Sequence, residues 1–102
     1  PALQTITICE AAGVGVSVDT NPFSIVGDTA SCHLAAVARM PYPVDCEGHV
    51  SFAKLGDPNP FSGGITFADG LAVLPDAPGL GVDVDWDRLA AHQKAHGGAD
   101  PA

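Results

Sequence analysis

Asp45 and Glu47 stand two residues apart in the run PVDCEG, and no other pair in the chain has types and spacing that suggest chemistry so directly. Along a strand successive side chains alternate, which puts Asp45 and Glu47 on one face and Val44 and Cys46 on the other. Two carboxylates side by side on a buried strand repel each other and resist desolvation. The pair therefore marks either a site or a strand end in solvent. Asp19-Thr20-Asn21 ends the earlier apolar run GVGVSV in a comparable way. Other chemistry-bearing residues have structural readings. His33 falls on an apolar helix face, where a hydrogen-bonded core histidine is expected. His92 and His96 have the i,i+4 spacing of metal ligands but no third partner, and they are read as exposed tail residues. Cys9, Cys32 and Cys46 are widely spaced among apolar neighbours, without C-x-x-C spacing. They read as free, structural thiols in a reducing compartment, which points to the cytoplasm.

Residues 13–48 are the unit that must position these groups. GVGVSV reads as a buried strand, with Gly15 where something must approach closely. The loop DTNPFS follows, then a helix with Gly27-Asp28-Thr29 offering a cap and Ala30, His33, Leu34 and Val37 on its inward face. Pro41 stops that helix and Pro43 precedes the second strand. Strand, helix, strand is a parallel βαβ unit, and in such folds chemistry gathers at the carboxyl ends of the strands. Those ends are Asp19-Thr20-Asn21 and Asp45-Cys46-Glu47. Residues 2–12 fit two readings: Thr5-Ile6-Thr7-Ile8 alternates like a strand, while Leu3, Ile6, Cys9 and Ala12 recur at helical spacing before Gly13.

Residues 53–64 are rich in Pro and Gly and read as loop. Ile65-Thr66-Phe67 and Leu71-Ala72-Val73 flank an Asp69-Gly70 turn, the signature of a hairpin. A Gly/Pro-punctuated run leads to a last short strand and a closing helix capped by Asp85, with Trp86 and Leu89 facing inward.

With 102 residues, 12 Gly and 9 Pro, the chain has the length of one small domain and much turn and loop. A single βαβ unit cannot cover both faces of a parallel sheet, so the chain reads as the C-terminal part of a larger protein, GGADPA being its true end. Twelve acids against 4 Lys plus Arg give a net charge of −8, which argues against nucleic acid or an anionic membrane as partner. No apolar run is long enough to span a bilayer, and no signal-peptide pattern is present.

The run GGITFADGLAVLPDAPGLGVDVDWDRL resembles the C-terminal end of the mandelate racemase and muconate lactonizing branch of the enolase superfamily. GDTASCHLAAV is similar to that family's seventh barrel helix, PVDCEGH to its eighth strand and GVGVSV to its seventh, which makes residues 2–12 the sixth helix. The resemblance implies an α/β fold, the C-terminal portion of a (β/α)7β8 TIM-type barrel plus a returning segment that packs with a capping domain. Residues 1–52 would be the last barrel elements, 53–64 a loop, and 65–102 the returning segment.

The resemblance also implies abstraction of the proton α to a carboxylate, with a divalent metal, usually Mg²⁺, holding the enediolate. Its metal ligands and Lys bases would lie upstream of Pro1, and neither Lys54 nor Lys94 matches a family base. The end of strand seven, Val18-Asp19-Thr20-Asn21, lacks the His of mandelate-type racemases and dehydratases. Asp45-Cys46-Glu47-Gly48 has the parity of the D-x-D-G of dipeptide epimerases, with some likeness to the x-E-x-x-G of cycloisomerases. A racemase/epimerase or cycloisomerase is therefore expected, with a mandelate-type sugar-acid dehydratase or a non-catalytic module as alternatives. Asp45, Glu47, Thr20 and Asn21 become the substrate-binding candidates. The expected partners are the upstream part of the same chain, a small carboxylate substrate and further copies of the protein.

Overall fold

Ala2–Ala11 form helix α1, resolving the ambiguity of this segment in favour of the helical spacing. It ends in a Schellman motif. Gly13 sits at φ 70, its N–H donates to the Glu10 carbonyl, and the N–H of Val14 donates to the Cys9 carbonyl at 2.9 Å. Only Ile6 of α1 is buried. The computed structural model describes residues 1–19, 24–39, 41–46, 59–95 and 97. Among them no helix is long and apolar enough to cross a membrane.

Ile25–Ala36 form helix α2. It begins before the expected cap, with Ser24 at the N-cap position, so Asp28 lies in the first turn where the helix dipole favours an acid. The buried stripe is Ile25, Asp28, Thr29, Cys32 and Ala35. This departs from the inward face expected from Ala30, His33, Leu34 and Val37: Ala30 is exposed, Val37 is 67% exposed, and His33 and Leu34 are half-buried. Both stripes have helical spacing, and what decides between them is the C-terminal segment, which packs on the first.

That contact is made through Ile65, whose N–H donates to the Thr29 hydroxyl at 3.1 Å in a buried bond. Strand β1, Phe61–Gly63, pairs antiparallel with a later strand, Val82–Val84, which follows the hairpin strands β2, Thr66–Ala68, and β3, Leu71–Val73, and is therefore β4. Part of the stretch expected to be loop is thus a strand. Its glycines serve close approach rather than irregularity: a Cβ on Gly63 would collide with the Gly81 carbonyl, and the Gly64 N–H donates to that same oxygen at 2.7 Å. The hairpin forms as expected, with Asp69 at φ 51 and Gly70 at φ 76, the two positive φ values of a type I′ turn.

Helix α3, Trp86–Ala95, is the last described element. The Asp85 carboxylate accepts from the Arg88 N–H at 3.0 Å and pairs with the Arg88 side chain at 3.1 Å, so the expected cap is made. The expected inward face is not: Trp86 is 71% exposed, while Leu89 is half-buried. A residue can face inward only where a partner covers it, and no described element covers Trp86.

The two expected parallel strands carry no β-ladder among the described residues; the sheets there are the pairs β1–β4 and β2–β3. A parallel strand is held by neighbours on its edges, and these two stretches do not pair with each other. Their alternation survives nonetheless. Val16 and Val18 are half-buried and Ser17 and Asp19 exposed; likewise Val44 and Cys46 are half-buried and Asp45 exposed. Val44 and Cys46 pack on a small core of Ile25, Cys32 and Ile65, joined by Phe61, Leu74 and Val82.

Candidate functional site

Asp45 is held away from the core by the residues on either side of it. Its neighbours Val44 and Cys46 are drawn toward α2 and Ile65, and period-two geometry then turns Asp45 outward. Asp19 is exposed in the same manner at the end of the first extended stretch. Glu47, Thr20 and Asn21 lie outside the described residues, as does His96. Of the substrate-binding candidates, the described structure therefore positions Asp45 alone.

The other sequence candidates are placed apart from Asp45 or carry a different geometry. His33 is half-buried on α2, and its Nε2 is buried with no hydrogen-bond partner among the described residues, where a hydrogen-bonded core histidine was expected. His92 is half-buried on α3. Among the described residues no three His, Cys, Asp or Glu side chains come together to hold a metal ion. The described residues thus do not fit a Mg²⁺ site by themselves.

A shallow, open depression of about 580 Å³ lies elsewhere, lined by Glu10, Gly13, Val14, Gly15, Arg39 and Pro41. These residues mark the beginnings of the two extended stretches, whereas Asp19 and Asp45 are at their ends. Among the described residues, none of the substrate-binding candidates lines it. Two contacts show what it does instead. The Glu10 carboxylate accepts from the Arg39 backbone N–H at 2.9 Å, tying α1 to the exit of α2. A Cβ on Gly15 would come within 3.2 Å of the Pro41 ring, which is the close approach expected at Gly15.

Sequence reasoning missed one convergence entirely. The sulfurs of Cys32 and Cys46 lie 3.3 Å apart, one thiol hydrogen-bonded to the other. Burial pushes the Cys46 thiol up to about 12, with the hydrogen bond and charge of Cys32 adding to it, followed by the carboxylates of Asp28 and Asp45. The signal was present in two halves. Cys32 is about one turn along the buried stripe from Asp28, and Cys46 has the inward parity of Val44. Only the packing of α2 on residues 41–46 joins them.

Residues 1–88 match the family described as "Enolase C-terminal domain-like". The chain is 31% identical over 87 residues to a probable glucarate dehydratase of Streptomyces coelicolor, covering 85% of this chain and 19% of that protein. It is 30% identical over 89 residues to muconate cycloisomerase 1 of Rhodococcus opacus, covering 84% and 22% respectively. Its structure is similar to the crystal structure of muconate lactonizing enzyme from Klebsiella pneumoniae, with a TM-score of 0.70 and 32% identity over 83% of this chain and 23% of that one. The chain thus spans about a fifth of the length of the curated relatives it matches.

Proposed function

The chain belongs to the enolase C-terminal domain-like family, and on that premise we propose that it is the C-terminal part of an enzyme abstracting the proton α to a carboxylate, of the racemase/epimerase or cycloisomerase type. The observation that carries the site is the alternation at 44–46. Val44 and Cys46 pack inward and Asp45 turns out, at the end of the stretch that the resemblance assigns to strand eight. Glu47 lies outside the described residues, and its place beside Asp45 is proposed from the alternation of the sequence alone. Two acids there would receive a substrate ammonium, as in the dipeptide-epimerase likeness. The base and the Mg²⁺ ligands are proposed to come from residues outside this chain.

A second reading, a sugar-acid dehydratase, is favoured by the likeness to the probable glucarate dehydratase, which is as close in identity as the cycloisomerase. Exchange of the substrate α-proton in D₂O, followed by NMR with the full-length protein, separates the two. Racemisation or epimerisation exchanges the proton with the carbon skeleton intact, while dehydration yields a keto acid. Asp45→Asn and Glu47→Gln should then raise KM for cationic substrates strongly and disturb kcat less, since the lost contact is made equally in ground and transition states. Unchanged turnover and KM together with a lower melting temperature would make the two acids structural and remove the site.

A further inference from the structure

Nothing in the proposed α-proton chemistry uses the thiol pair. Cys32 is buried on α2 and Cys46 half-buried, and both line a groove of about 500 Å³ bounded by the end of α2, the stretch from Tyr42 to Cys46, and the β2–β3 hairpin. Tyr42, Val44, Phe67 and Leu71 form much of its wall, so a small uncharged molecule can reach the sulfurs along an apolar path. Cys9, on α1, is not part of this groove.

We propose that Cys32 and Cys46 are a dithiol modification site whose co-reactant is a small hydroperoxide, which converts them to an intramolecular disulfide joining α2 to residues 41–46. Cys46, the more exposed of the two, reacts first. Its sulfur attacks one peroxide oxygen, an S–O bond forms, the O–O bond breaks, and the departing oxygen leaves with the thiol proton as water or alcohol. The sulfur of Cys32 then attacks the sulfenic sulfur. An S–S bond forms, the S–O bond breaks, and the hydroxyl leaves with the second proton as water. The two sulfurs have given up two electrons in all, and the peroxide has taken them. The first step is slow, because the half-buried Cys46 thiol stays protonated and the thiolate is the nucleophile. The second is fast, because the resolving sulfur already stands 3.3 Å away and needs only to close to the roughly 2.05 Å of a disulfide. Slow entry and fast resolution make the disulfide, rather than sulfinic acid, the product.

The test is to treat the folded full-length protein with hydrogen peroxide, quench, denature, alkylate the remaining thiols and map them by mass spectrometry without reduction. Cys32 and Cys46 should lose alkylation together and appear in one cross-linked peptide, while Cys9 stays alkylated; dithiothreitol should restore both. In Cys46→Ser no cross-link to Cys32 should form. Cross-links found only between molecules, sulfinic acid at Cys46 with Cys32 still free, or oxidation of Cys9 with the pair untouched would each overturn the proposal. The mapping on the unsubstituted protein decides the matter even where the variant does not fold.

Discussion

Ionising Cys46 would place a charge in a part-buried pocket beside a second thiol and near two carboxylates, and the pH dependence of stability follows from that. The thiol has an ordinary value of 9.0 and is pushed up to about 12 in the fold. Between those values the folded protein still binds a proton that the unfolded chain has released, so this contribution to stability is complete below the ordinary value and drains as pH rises toward the folded one. Cys46→Ser should remove that slope. Urea midpoints of the full-length protein at neutral pH and above the ordinary thiol range should fall less with pH in the variant than in the parent. Equal falls would mean that the thiol is as hydrated folded as unfolded. At Gly64 backbone and packing act together. It sits at φ +80, and a Cβ there would meet the Thr29 hydroxyl at 2.7 Å and Ile25 at 2.8 Å. Gly64→Ala should cost at least about 1–3 kcal/mol from the backbone conformation alone, before any displacement of α2. A denaturation midpoint unchanged within error would show that the segment does not press on α2 as described.

Elements whose geometry is settled within a few residues were legible in the sequence, and those settled by a distant partner were not. The Asp69-Gly70 hairpin was readable because a type I′ turn needs only its own two residues at positive φ. The Asp85 cap was readable for the same reason, its partner being three residues on. β1 was missed because its partner β4 lies some twenty residues later and its glycines look like loop until the Gly81 carbonyl is set against them. The inward face of α2 was misjudged because two stripes have helical spacing and Ile65 chooses between them. At the candidate site the parity of Asp45 was legible, being a property of three consecutive residues, whereas the meeting of Cys32 with Cys46 was not. The cap gives an element-scale prediction. Asp85→Ala leaves the Arg88 N–H without its acceptor and Arg88 without its ion-pair partner. The N-cap loss should cost about 0.5–2 kcal/mol, and the exposed ion pair adds little. Hydrogen exchange should rise in the first turn of α3 while the α2 amides stay protected; uniform loss of protection would mean that α3 is integral to the core around Ile25.

At the scale of the whole molecule, surface left uncovered dominates. The chain exposes 7005 Å², whereas a compact monomer of 10.3 kDa is expected to expose about 5,400 Å². Its radius of gyration is 15.8 Å, against about 13 Å expected for a compact chain of this length. The core is correspondingly thin: among the described residues Ile6, Ile25, Cys32, Ala35 and Ile65 are the buried apolar side chains, while Ile8, Val37, Leu71 and Trp86 are each about two-thirds or more exposed. Fully burying one such side chain contributes on the order of 1.5–3 kcal/mol, so these four represent more free energy than a marginal domain can forgo. Among the described residues the extended stretches at 15–19 and 41–46 belong to no sheet. The 102-residue chain by itself should therefore not unfold cooperatively. Far-ultraviolet circular dichroism should show a shallow, drawn-out loss of helix on heating, and sedimentation should show association through the exposed apolar faces. A sharp two-state transition in a monomer would mean that the exposed faces need no covering, and it would favour a self-sufficient module over the proposed part of an enzyme.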